Sequence, residues 1–144
     1  MTVPFATTRF SDAITVSAPD GSVVRILAGL PEASMAHFTL GAGQTSIAVR
    51  HRTVSELWYV VSGRGQMWRR SATVDTADTA EDVVELTPGV SLSIPVGVAF
   101  QFRATGGEEL AAVGVTIPSW PGDDEAEVHD GPWTPSVEAG PGPV

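Results

Sequence analysis

A chain of 144 residues with 42% hydrophobic and 17% charged residues is long enough for one domain with a sizeable core, and too apolar to stay disordered. Its net charge of -9 argues against a nucleic-acid partner, which needs basic surface to displace counterions. Zero Cys excludes disulfides, thiolate metal sites and cysteine nucleophiles, and the absence of Lys (all eight basic residues are Arg) excludes Schiff-base chemistry.

The N-terminus MTVPFATTRFSD lacks the basic start and apolar stretch of a secretory signal. No apolar run approaches the ~20 residues of a membrane helix. A cytoplasmic protein with no membrane partner is the expectation. Period-two alternation and β-branched residues then predict strands over 22–28, 35–40, 46–52, 56–61, 66–70, 83–86, 90–94, 98–103 and 110–117. Turn signals separate them, among them Asp20-Gly21, Gly63-Arg64-Gly65, Pro88-Gly89 and Pro95-Val96-Gly97. No segment holds a helical period for three turns. Short strands at this spacing predict an all-β antiparallel sandwich or barrel. Residues 71–82 are small, polar and acidic, and read as a loop between two halves of the barrel.

In ELWYVV both parities are apolar, so the outer face of that strand needs a cover. A second layer, a terminal arm or a partner subunit would serve, and a homodimer is the expected partner state. Residues 118–144 carry six of the eleven prolines, with Asp123, Asp124, Glu125, Glu127, Asp130 and Glu138. This predicts an irregular acidic tail after a barrel domain spanning 1–117. Trp120 and Trp133 would pin the tail to the body, and the end (EAGPGPV) is expected to be mobile.

Two spaced motifs give a resemblance. Glu56 and Gly63 fit E-x6-G, and Gly89, Pro95 and Gly97 fit G-x5-P-x-G, in the order found in small single-domain cupins. The resemblance covers roughly residues 22–117 and implies an antiparallel jelly-roll (cupin) barrel. It also implies a site in which two histidines, a glutamate and a third histidine bind Fe, Mn, Ni, Zn or Cu. This chain departs from that pattern. His51 is one of the two paired histidines, and either Val49 or Thr53 replaces the other. Phe100 occupies the third histidine position and Ala104 the place of a following asparagine. Of the four ligands implied, His51 and Glu56 remain, one short of the three protein ligands usual even in a catalytic zinc site. His37 restores a third if it faces the cavity; otherwise it is a strand histidine satisfied by a hydrogen bond.

Trp58, Phe100 and Phe102 predict an aromatic-lined cavity for an organic ligand, with simple barrel core as the alternative. Arg52, one of several arginines between 50 and 103, is a candidate to meet a carboxylate or enolate at the mouth. Three readings of function follow. In the first, His51 is a general base or acid and Glu56 orients it, in an isomerase- or cyclase-like enzyme acting on an oxygenated small molecule without a resident cofactor. In the second, a divalent transition metal (Fe, Mn, Ni or Zn) sits on His51, Glu56 and His37 in a dioxygenase-like enzyme. In the third, the barrel binds a small molecule without catalysis.

Overall fold

The computed structural model describes residues 5–71, 79–122 and 124–140. A short 3-10 turn at Phe10–Asp12 precedes the strands. In chain order these are β1 (Ile14–Ser17), β2 (Val23–Leu30), β3 (Ala33–Leu40), β4 (Val49–His51), β5 (Ser55–Ser62) and β6 (Gly65–Arg70). They continue with β7 (Glu81–Leu86), β8 (Ser91–Ile94), β9 (Ala99–Ala104), β10 (Leu110–Ile117) and β11 (Ala126–Val128). Six form one sheet in the order β1-β2-β3-β10-β5-β8; five form a second, β11-β4-β9-β6-β7. Every pairing in these sheets is antiparallel. This is the all-β antiparallel architecture that the alternation implied, and the two-sheet jelly roll that the resemblance implied. No helix among the described residues is long and apolar enough to cross a membrane.

The alternation sets the layers. In β5, Glu56, Trp58 and Val60 point between the sheets and are buried, whereas Leu57, Tyr59 and Val61 point outward and are exposed. Phe100, Phe102, Met67, Leu86, Ile94 and Leu110 complete the filling between the layers. β9 is buried on both faces because a second cover exists. Trp133 from the tail packs on Trp68, Ala48 and Ala99, while Gln101 donates to the carbonyls of Ser46 and Trp133 and accepts from the Trp133 amide. These bonds satisfy a buried amide that would otherwise destabilise the central strand.

The strand expected over 46–52 is shorter. Ser46 and Ile47 give their amides to Phe102 and Asp20 carbonyls, so this stretch bridges elements before joining the ladder at Val49. β1 and β11 are short edge strands with weak sequence patterns, and β11 belongs to the tail, pairing with β4. The acidic segment after β6 joins two neighbouring strands of the same sheet, not two halves of the barrel. Ser71 donates to the Ala80 carbonyl where the segment closes, and residues 72–78 lie outside the described residues, as do 141–144 at the chain end.

Candidate active site

A cavity of about 230 Å³ opens between the two sheets. β4 ends on His51, and the next strand begins at Ser55 with Glu56 facing inward one residue later. β3 contributes Ser34 and Phe38, β9 Phe100, and β10 Thr116. The turn before β2 brings Asp20, and the tail closes the cavity with Trp120 and Ala126. The walls are aromatic. Phe38 stacks on Trp58 with ring centroids 5.1 Å apart, and His51 meets the edges of Phe100 at 5.3 Å and Trp120 at 5.1 Å. Such offset and edge contacts hold the rings in fixed positions.

His51 and Glu56 line the same cavity but are not a hydrogen-bonded pair. The Trp58 indole donates to Glu56 Oε2 at 3.1 Å, so Glu56 is oriented by its own strand rather than by His51. The Nδ1 of His51 is buried without a hydrogen-bond partner among the described residues. Burial pushes the His51 imidazole down to about 4, against an upward pull from Glu125. Burial pushes the Glu56 carboxyl up to about 8; the Trp58 bond opposes this and Asp20 adds to it. Asp20 is also raised by burial, although Ser22 donates both its hydroxyl and its amide to Oδ1. Near neutral pH, then, Glu56 holds its proton and His51 lacks one.

Glu125, in the tail, fixes the turn between His51 and Glu56, where the chain crosses from one sheet to the other. Its carboxylate accepts from the Thr53 amide at 2.6 Å, the Thr53 hydroxyl at 2.7 Å and the Val54 amide at 2.8 Å. Burial pushes that carboxyl up, but these bonds outweigh it and hold the group below its ordinary value. Ser34 and Thr116 share a hydroxyl–hydroxyl bond on the opposite wall, and Ser34 Oγ also accepts from the Trp120 amide.

The structure sorts the residues predicted from sequence. It brings together His51, Glu56, Trp58 and Phe100. Phe102 packs edge-on against Trp58 at 5.0 Å in the core behind the cavity wall. His37 is on the other face of β3: Ala36 and Phe38 line the cavity, and His37 lies against the Phe10 ring at 4.8 Å outside it. Strand alternation turns its side chain away from those of Ala36 and Phe38. Arg52 does not reach the cavity. It is half-exposed and paired with Asp124 at 3.4 Å and Glu127 at 3.5 Å. Val49 shares the inward face with His51 and pairs with Phe100, while Thr53 is taken by Glu125, so Val49 stands at the lost histidine position. Asp20, Phe38, Thr116 and Trp120 went unrecognised. Asp20 was hidden in a turn signal and Trp120 in an aperiodic tail; the parity that excludes His37 could have found Phe38.

The donor set does not fit a resident transition metal. Two of the four implied positions are apolar, and the described residues contain no group of three or more His, Cys, Asp or Glu side chains close enough to hold one ion.

A family model described as Cupin domain matches residues 36–116. Comparison with curated proteins gives no sequence match. Among solved structures, oxalate decarboxylase from Lactobacillus farciminis superposes with a TM-score of 0.69 at 13% identity, covering 89% of this chain and 37% of that one. KdgF from a Halomonas species gives 0.63 at 14% identity, over 78% and 94% of the two chains. A Klebsiella pneumoniae protein with a double-stranded β-helix domain gives 0.59 at 15% identity, over 76% and 85%. This chain therefore spans little more than a third of the oxalate decarboxylase. At these identities the likeness shows the fold alone.

Proposed function

Because the chain belongs to the cupin family, we propose that its barrel binds one small oxygenated organic molecule and moves protons on it through His51 and Glu56, as an isomerase- or cyclase-like enzyme without a resident metal. One observation carries this reading: the unpartnered imidazole of His51 and the buried carboxyl of Glu56 line one aromatic cavity. Their opposite displacements leave an acid charged with a proton beside a base ready to accept one, the pattern by which acid and base roles are assigned. His51 takes a proton from a carbon or oxygen of the ligand, and Glu56 returns one to another atom. The ligand's proton count is conserved, exchange with solvent returns His51 and Glu56 to their starting protonation states, and no redox partner is needed. Trp58 holds the Glu56 carboxyl in place, and Phe100 and Trp120 position the imidazole.

The test is solvent-deuterium incorporation into ligands drawn from a screen of small ketones, enols and hydroxy compounds, followed by NMR. We expect exchange with the wild-type chain and a loss of about 10²–10⁴-fold in His51→Ala, with ligand affinity falling far less. Unchanged exchange in His51→Ala and in Glu56→Gln would overturn the catalytic reading and leave a binding protein.

The outward face of the six-stranded sheet supports a homodimer as the working state. Leu57 and Tyr59 there pair across the ladder with Val115 and Val113, and Leu57, Tyr59 and Val61 are exposed.

A further inference from the structure

The cavity places two carboxyls, Asp20 and Glu56, in an apolar enclosure that no arginine lines. The arginines nearest in sequence are engaged elsewhere. Arg25 lies over the Phe10 ring, and Arg50 and Arg52 pair with Glu127. Buried carboxyls ordinarily come with a cationic partner; here no side chain supplies it. His51, the third polar group, is buried and offers an unpartnered ring nitrogen. Three groups able to accept hydrogen bonds therefore face one space walled by Phe38, Trp58, Phe100 and Trp120.

A bare metal ion does not match this arrangement, because the acceptors are not grouped closely enough for one ion. A carboxylate or phosphate does not match either, since it would face two carboxyls and no cation. We infer that the cavity recognises a small molecule carrying a protonated amine, whose N–H donors meet the Asp20 or Glu56 carboxyl and whose charge is held by the surrounding aromatic faces. This deepens the proton-transfer reading and rests on it, since it names the class of molecule on which that chemistry acts. An ammonium supplies donors and no acceptor, the complement of the three groups present. Aromatic rings attract a desolvated cation through their quadrupole. The chain's net charge of -9 attracts cations from solution. The two carboxyls are coupled: Asp20 opposes ionisation of Glu56, and an entering cation stabilises one negative charge while the other carboxyl keeps its proton.

The experiment compares three single-ring probes that differ in charge: benzylamine, benzyl alcohol and benzoate. Binding to the full-length chain near neutral pH is followed by tryptophan fluorescence, since Trp58 and Trp120 line the cavity, and by calorimetry. We expect benzylamine to bind about tenfold or more tightly than benzyl alcohol, the scale of a desolvated cation–aromatic contact, and benzoate to bind most weakly. Asp20→Asn and Glu56→Gln should each lower the ratio of amine to alcohol affinity. Alcohol or benzoate binding as tightly as the amine in the wild-type chain would overturn the inference while leaving a small-molecule cavity. Failure of all three probes to bind would overturn both, and the wild-type comparison stands even if a variant fails to fold.

Discussion

At the scale of single residues, Glu56 and His51 make the fold's stability depend on pH in opposite senses. Glu56 is near 8 in the fold against 4.5 ordinarily, so its contribution is complete below about 4.5 and is lost as pH rises through 8. His51 is near 4 against 6.5, so its contribution is complete above 6.5 and is lost as pH falls through 4. Between 4.5 and 6.5 the two offset each other; from 6.5 to 8 Glu56 acts alone of the pair. Urea unfolding should therefore show stability falling by on the order of 2 kcal/mol from about pH 6.5 to about pH 8. The fall should be largely absent in Glu56→Gln. An equally steep fall in that variant would contradict a proton held by Glu56. The sequence made His51 and Glu56 legible because motif spacing marks them. It hid Asp20 and Trp120, whose place in the cavity depends on long-range chain paths that local pattern does not encode.

At the scale of elements, the motif glycines have distinct physical reasons that spacing alone does not separate. Gly63, closing β5, has φ +81°, and a Cβ there would lie 2.3 Å from the Glu109 carbonyl oxygen. Gly97, before β9, has φ +83° but nothing within 4 Å of an added Cβ. Gly97→Ala should therefore cost about 1–2 kcal/mol, the left-handed penalty alone. Gly63→Ala should cost distinctly more, because backbone must move as well. Thermal unfolding of the two variants checks the ranking, and equal losses would contradict it. Strand positions were readable wherever one face is buried and the other wet, as in β5. The bounds of β4 and the existence of the tail strand β11 were not, because they are set by pairing with strands far away in sequence. Trp133 and Gln101 show the same limit: the cover over β9 comes from a segment with no periodicity of its own.

At the scale of the whole molecule, the outer face of the six-stranded sheet carries Leu57 and Tyr59, about half exposed at 52% and 54%. A partner covering this face would bury the ~800 Å² per subunit typical of a specific interface. Sedimentation at micromolar concentration should give a dimer, and Leu57→Arg combined with Tyr59→Arg should shift it to monomer without unfolding. A wild-type monomer across the accessible range would contradict the homodimer. The barrel also explains how a family frame persists while its chemistry changes. Val49 and Phe100 pack into the apolar core between the sheets, so apolar groups at the implied imidazole positions are compatible with the layers.

The most direct test of a cavity that works on an organic molecule with its own acid and base is metal content. The full-length chain would be purified without a tag or chelator, beside His51→Ala, and its metals counted. The account predicts far less than one Fe, Mn, Ni or Zn per chain, with no ion retained after each is supplied and unbound metal removed. Near-stoichiometric metal in the wild-type chain that is lost in His51→Ala would contradict it.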